Sequence, residues 1–210
     1  METFGNERLT ANVPTSIVSH DEMSEMYDLS VSIVTFNNSK EIGAAIDSLV
    51  SSIGNDLSYK LFVIDNNSSD NTSEEVQKRR MDGRINLISL EKNVGFGSGH
   101  NVVLELLNSK YHLIMNPDIL VKGNAISRIV DFLEKNDDVG LVSPNIVNPD
   151  GSIQYSCKRD PTILDLLIRL LLPNCCRKRQ ERYMMKDHDH SKVFDAPIVS
   201  GCFMFLRTEL

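Results

Sequence analysis

The strongest constraint on this chain is an alternation. Between residues 29 and 145, short β-branched and apolar runs alternate with helix-spaced runs, and the connections are short. That pattern predicts βαβ units and an α/β fold with a mostly parallel sheet flanked by helices. The expected strands are "LSVSIVTF" (29–36), "KLFVID" (60–65), "INLISL" (85–90), "YHLIMN" (111–116) and "VGLVSP" (139–144). Helices are expected through about Ser52, from Ser73 to about Met81, from about His100 to Asn108, and over 123–136. The first of these places Ile42, Ala45, Ile46 and Leu49 on one face, with Asn37, Asn38 and Ser39 offering N-caps. Pro117 ends the fourth strand, because proline cannot donate to a central ladder.

Parallel sheets of this kind bind ligands outside the carboxyl ends of their strands. The residues to read are therefore Thr35-Phe36-Asn37, Asp65-Asn66-Asn67, the loop "NVGFGSGHN" (93–101) and Asn116-Pro117-Asp118. The glycine loop is no dinucleotide fingerprint. Its glycines, Gly95, Gly97 and Gly99, read G-x-G-x-G, and it follows the third strand instead of the first. No G-K-[ST] occurs either, so a Walker loop is excluded. The glycines permit positive φ and close backbone approach ahead of a helix. Asp65 and Asp118 put two carboxylates at the carboxyl edge, which points to metal or polar-ligand binding. Asp70 reads either as part of that site or as the cap of the next helix. A phosphoacceptor receiver domain is disfavoured, because the first strand ends in Thr-Phe-Asn without acids.

Other features set boundaries. The formal net charge of −7 argues against a nucleic-acid partner. Residues 1–28 are polar and aperiodic, and they read as a mobile N-terminal tail that holds Glu2, Glu7, Asp21, Glu22, Glu25 and Asp28. Cys157, Cys175, Cys176 and Cys202 form no C-x-x-C pair and read as reduced thiols of a cytoplasmic protein. No secretory signal is evident, and no apolar run reaches the roughly 18 residues of a spanning helix. After 145 the alternation stops. "NPDG" (148–151) predicts a hairpin turn, "PTILDLLIRLLLP" (161–173) a short apolar helix, and "APIVSGCFMFLR" (196–207) a strand. The segment 163–182 couples that helix to Arg177, Lys178, Arg179 and Arg182. It reads either as a peripheral contact with an anionic membrane or as packing within the protein. "DHDH" (187–190) reads as a solvated loop in preference to a metal site.

Four segments occur together in order: "VSIVTFNNS", "VIDNNSSDNT", "NVGFGSGHN" and "LIMNPDILV". The combination resembles the inverting family 2 glycosyltransferases, and the NPD form resembles their rhamnosyltransferase-like branch. "SGCFMFLR" (200–207) resembles a later family segment, SG-x-x-M-x-x-R. The resemblance implies a GT-A fold, with a nucleotide-sugar-binding half over 29–145 and an acceptor-side half over 146–210. It implies that Thr35 and Asn37 line the nucleotide pocket. Asp65 would bind a pyrimidine base with Asn67 and Asp70 nearby, and Asn93, Gly95 and Asn101 would form another wall. Asn116-Pro117-Asp118 stands where the family has D-x-D, so Asp118 would hold a divalent metal, Mg²⁺ or Mn²⁺, with one charge fewer because of Asn116. His100 reads either as a donor-phosphate contact or as a solvent-facing helix start. Asp195, Ser200 and Gly201 fall on the acceptor side.

The implied reaction is metal-assisted sugar transfer with inversion, from dTDP-rhamnose or a UDP-hexose to a glycan or lipid-linked acceptor, at the inner face of the membrane or in the cytoplasm. The family's usual general base lies in an "ED" motif that this sequence lacks in the corresponding region, so the base is expected beyond Leu210. The alternative expectation is a catalytically incomplete fragment that binds sugar nucleotide or a partner protein.

Overall fold

The computed structural model describes residues 26–80, 83–171 and 176–209. Of the expected tail, all but the last three residues lie outside this range, as do Met81, the end of the apolar helix beyond residue 171, Cys175 and Leu210. β1 (Tyr27–Thr35) is buried on both faces, with Leu29, Val31, Ile33 and Ser32 fully inaccessible. Such two-sided burial is why a central parallel strand reads as a continuous run without exposed alternation. β1 pairs in parallel with β2 (Tyr59–Asp65) and with β4 (Ser109–Met115), and β2 pairs in parallel with β3 (Ile85–Ser89). With β5 (Leu141–Val142) and β8 (Phe203–Arg207), the six-stranded order is β3-β2-β1-β4-β8-β5.

The crossovers carry α1 (Ile42–Ile53), α2 (Thr72–Gln77), α3 (Phe96–Asn101) and α4 (Ala125–Glu134). α1 buries the expected face of Ile42, Ala45, Ile46 and Leu49. Val34, Phe62, Ile64, Ile88 and Val103 form a buried apolar cluster together with the partly buried Leu90, Val102, Leu106 and Leu107. Arg207 lies at the far end of "SGCFMFLR". Its guanidinium donates to the carbonyls of Leu133, Asn136 (3.2 Å) and Val139 (3.0 Å), closing the C-terminal end of α4.

Several expected boundaries move. Asn37, Asn38 and Ser39 do not cap α1 through their side chains. The N-cap is Glu41, without a side-chain bond, and Asn38 offers its backbone carbonyl to the amides of Glu41 and Ile42. The helix expected from His100 begins at Phe96, ends at Asn101 and is followed by a 3₁₀ turn at Leu104–Leu106. Gly95, at φ 84°, provides the turn into it. Only two residues of the strand expected over 139–144 pair. The strand expected over 196–207 is reduced to β8, with Ile198 making an isolated antiparallel bridge to Lys158.

The chain divides into two compact units: the residues up to Leu141 with Phe205–Leu210, and Val142–Met204. In the second, β6 (Ile146–Val147) and β7 (Ile153–Gln154) form an antiparallel hairpin around the expected turn, where Gly151 takes φ 84°. α5 (Ile163–Leu171) and α6 (Arg177–Tyr183) follow.

Candidate functional site

Strand register brings the polar chain ends of the first unit together. Thr35 pairs with Asp65, and Asp65 with Ser89, so three strands finish abreast. Met115 sits opposite Ile33, so Asn116–Asp118 leave the sheet beside the end of β1. The edge that parallel topology makes available for ligands is thus built from Thr35, Asp65, the glycine loop and Asn116–Asp118.

Two carboxylates knit the first two loops. Asp65 is buried, and its Oδ1 accepts the Ser68 amide (3.0 Å) and hydroxyl (2.5 Å) while its Oδ2 accepts the Ser73 hydroxyl. The Ser68 hydroxyl in turn accepts the Asn37 amide (2.9 Å), and Asn37 Oδ1 accepts the Ser69 amide (2.8 Å). Asp70 repeats the device. Its carboxylate takes the Thr72 amide (3.0 Å), the Thr72 hydroxyl and the Ser39 amide (3.1 Å), and the Thr72 hydroxyl accepts the Asn38 amide (2.9 Å). These bonds, that from the Thr72 hydroxyl foremost, lower the Asp70 pKa to about 2. Asp70 therefore braces the first residue of α2, whose N-cap is Asn71, and ties it to the loop after β1. Asn37 (φ 56°) and Asn67 (φ 67°) take left-handed backbone, a conformation that asparagine tolerates better than most residues. Thr35 is buried, and its hydroxyl donates to Asn38 Oδ1 (3.1 Å).

Asn66, which sequence reading placed at the strand end without a role, pins the glycine loop. It is buried; its Oδ1 accepts the Val94 amide (3.1 Å) and its Nδ2 donates to the Gly95 carbonyl (3.3 Å). The buried amide after a β2 that ends in Asp was the available signal, but nothing in "DNN" says which asparagine turns inward. Asn93 Oδ1 accepts the Gly95 amide (2.9 Å), leaving Asn93 and Asn101 exposed on either side of α3. The glycines divide their work. Gly95 makes the turn, and Gly99 lets α3 approach β1, since a β-carbon there would stand 2.8 and 2.9 Å from the two methyls of Val34. At Gly97 a β-carbon would meet open space.

The solvent-facing reading of His100 is overturned: the side chain is buried, with Nδ1 2.7 Å from the Ser32 hydroxyl of β1. Ser32 also meets His112 Nε2 (3.0 Å), His112 Nδ1 meets Ser30 (2.7 Å), and Ser30 meets Ser109 (2.7 Å), which donates to the Tyr111 carbonyl (2.8 Å). Counting donors orients this chain. With the Ser109 proton spent on the carbonyl, Ser30 donates to Ser109 and accepts from His112 Nδ1–H. His112 Nε2 then accepts from Ser32, which accepts from His100 Nδ1–H. The end of the chain is the buried His100 Nε2, which has no partner among the described residues. This direction leaves it a bare lone pair, and the opposite one would strand a buried N–H, the costlier defect. Burial lowers the pKa of both imidazoles to about 4, with His100 adding to the effect on His112.

Asp118 differs from the other acids. It is exposed, and no hydrogen-bond or ion-pair partner engages it among the described residues. Among those residues no group of three or more His, Cys, Asp or Glu side chains converges on a metal position. A single carboxylate suits a cation that arrives with phosphate oxygens, as Mg²⁺ commonly does, and does not suit a caged resident ion. "DHDH" also holds no metal cluster: Asp187 pairs with Arg159 (3.0 Å), Asp189 bonds Ser191, and His190 Nε2 meets the Met185 carbonyl (3.0 Å). Asp195, Ser200 and Gly201 belong to the second unit, where Asp195 is exposed and Ser200 Oγ accepts the Cys202 amide at 3.5 Å.

Comparison with known proteins adds a family to this geometry. An uncharacterized glycosyltransferase of Haemophilus influenzae is 31% identical over 112 residues, which cover 53% of this chain and 34% of that protein. The poly(ribitol-phosphate) β-N-acetylglucosaminyltransferase TarS of Staphylococcus aureus is 26% identical over 167 residues, 78% of this chain and 29% of that protein. The chain thus spans about a third of the length of these relatives. Among solved structures, the mannosyltransferase PcManGT of Pyrobaculum calidifontis, in complex with GDP-Man and Mn²⁺, superposes with a TM-score of 0.59 at 17% identity, covering 89% of this chain and 46% of that one. S. aureus TarS 1–349 in complex with UDP-GlcNAc gives 0.51 at 23%, covering 63% and 38%. The mostly parallel sheet flanked by helices is therefore of the GT-A type. The model of the glycosyl transferase family 2 matches residues 30–210, and the chain belongs to that family.

Proposed function

We propose that this chain carries the donor site of an inverting glycosyltransferase, which moves a sugar from a nucleoside diphosphate to a hydroxyl of a glycan or lipid-linked acceptor. The observation that carries this reading is the contrast at the sheet edge. Asp65, Asp70 and Asn66 are spent on fixing three loops, while Asp118 stands exposed and unengaged beside them. A rigid polar rim with one free carboxylate suits a diphosphate that arrives with its cation.

In this reading Thr35, Asn37 and Asn67 line the nucleotide pocket, and Asp65 offers the base an acceptor lone pair that its loop does not use. Asn93, Gly95 and Asn101 form the opposite wall. Asp118, with Asn116 beside it, would hold Mg²⁺ or Mn²⁺ against the diphosphate. That ion supplies neutralisation of the charge that grows on the leaving nucleoside diphosphate. Asp195, Ser200 and Gly201 belong to the acceptor side. Inversion requires a carboxylate within reach of the attacking hydroxyl, and no described residue is assigned that role. PcManGT and TarS, solved with GDP-Man and UDP-GlcNAc, support the donor class. The NPD form of the motif favours dTDP-rhamnose over a UDP-hexose, and the setting proposed is the cytoplasmic side of a membrane.

A thermal-shift panel of UDP, dTDP, GDP, UDP-GlcNAc and dTDP-rhamnose with Mn²⁺ tests this. A pyrimidine nucleotide at a hundredfold over its Kd is expected to stabilise the fold by about 2.7 kcal/mol. A chain that melts cooperatively yet shifts with none of them contradicts the reading.

A further inference from the structure

α5 is held to its unit by its polar side. Its first turn is closed by a reciprocal cap, in which Asp165 Oδ2 accepts the Thr162 amide (2.9 Å) and the Thr162 hydroxyl accepts the Asp165 amide (3.2 Å). From α6, Arg179 clamps the same corner, donating to Asp165 Oδ1 (2.6 Å) and to the Thr162 hydroxyl (2.9 Å). Ile168 is buried on that side. The opposite side is apolar and bare: Ile163 is 79% exposed, Leu170 78%, Leu171 67%, Leu164 52% and Leu167 46%. At about 100° per residue these five occupy one stripe roughly 120° wide. A helix whose polar corner is tied down by hydrogen bonds while its leucines stay bare departs from the usual arrangement for a water-facing helix.

The neighbouring helix says what the stripe faces. α6 carries Arg177, Lys178, Arg179 and Arg182 within six residues, in a chain whose net charge is −7. Lys178 and Arg182 are exposed and have no ion-pair partner among the described residues, while Arg177 is paired only with Glu181 (3.0 Å). A second copy of this chain would set two basic helices against one another across a twofold axis, which like charge opposes. Exposed leucines beside unpaired cations match an interface with acyl chains below and anionic headgroups above.

We infer that α5 and α6 form a docking surface for an anionic lipid bilayer, with the α5 stripe inserted at the headgroup boundary and Lys178 and Arg182 on the lipid phosphates. The surface lies wholly in the second unit, so it stands or falls independently of the donor site. The test is flotation of the full chain with vesicles of phosphatidylcholine alone and with about 30% phosphatidylglycerol, which gives the surface a negative potential. Binding is expected on the anionic vesicles and is expected to weaken with salt. Leu170→Glu with Leu171→Glu should abolish it. Lys178→Gln with Arg182→Gln should weaken it roughly thirtyfold and erase the preference for anionic lipid, from about 1 kcal/mol per charge. These positions are exposed, so an unchanged melting curve confirms that each variant is folded. Three results would overturn the inference: no flotation by the folded wild type, flotation that ignores both variants, or a dimer in solution that Leu170→Glu dissociates.

Discussion

Gly99→Ala is expected to destabilise the first unit by about 2 kcal/mol, the usual range for forced overpacking. Helix propensity alone predicts the opposite, a gain of up to about 1 kcal/mol for replacing a helical glycine. The sign is decided by Val34. Its two methyls lie 2.8 and 2.9 Å from where the new carbon must go, and a β-branched side chain is stiff at χ1, so it yields little. Urea unfolding reads the effect. Val34→Ala removes both methyls, so the double variant Gly99→Ala/Val34→Ala should be more stable than the sum of the two single losses by at least about 1 kcal/mol. A Gly99→Ala chain as stable as the wild type would show that α3 is free to move off β1.

The second expectation concerns acid. His100 and His112 are neutral in the fold, held near pKa 4 by burial, and an unfolded chain protonates them near 6.5. Between those values the unfolded state binds more protons, so stability must fall as pH drops from about 6.5 to about 4 and level off below. The linkage is on the order of 3 kcal/mol for one histidine. The pair contributes up to about twice that, since repulsion between two protons on imidazoles sharing Ser32 is a further cost of charging both in the fold. The loss from Asp70 belongs to a separate window, below its ordinary 3.8 and down to about 2. Urea midpoints measured from pH 7 to 4 test the slope. Nitrogen NMR tests the cause, since the donor count places the proton of both histidines on Nδ1. A flat stability profile, or a proton on Nε2 of His100, would contradict the network.

What the sequence made legible follows from where the information lies. The parallel sheet was readable because strands buried on both faces carry their own signature, and β1, β2 and β4 are such strands. The glycine loop was readable as a close approach, and Gly99 against Val34 is that approach. Its helix boundary was not readable. Glycine-rich segments have poor helix propensity, and α3 starts at Phe96 because packing holds it, with Asn66 fixing the loop ahead of it. The orientation of His100 was hidden for another reason: its partner Ser32 is 68 residues away in sequence. Polar side chains that bond across a sheet leave no local pattern. In the second unit, β5, β6 and β7 are two residues long, too short to show any period. The acid roles remain the finest level of the reading. Sequence placed Asp65, Asp70 and Asp118 at one edge, but only hydrogen-bond accounting separates the two that build loops from the one left free.

That separation is the central claim, and calorimetric titration of the chain with UDP and dTDP, with and without Mn²⁺, tests it most directly when repeated on Asp118→Ala. The expected result is binding by the wild type that strengthens with Mn²⁺ and weakens at least about a hundredfold in the variant, the loss of a metal-bridged charge contact worth roughly 3 kcal/mol. Binding that ignores both Mn²⁺ and the substitution, or no binding by a chain that is well folded, would contradict it.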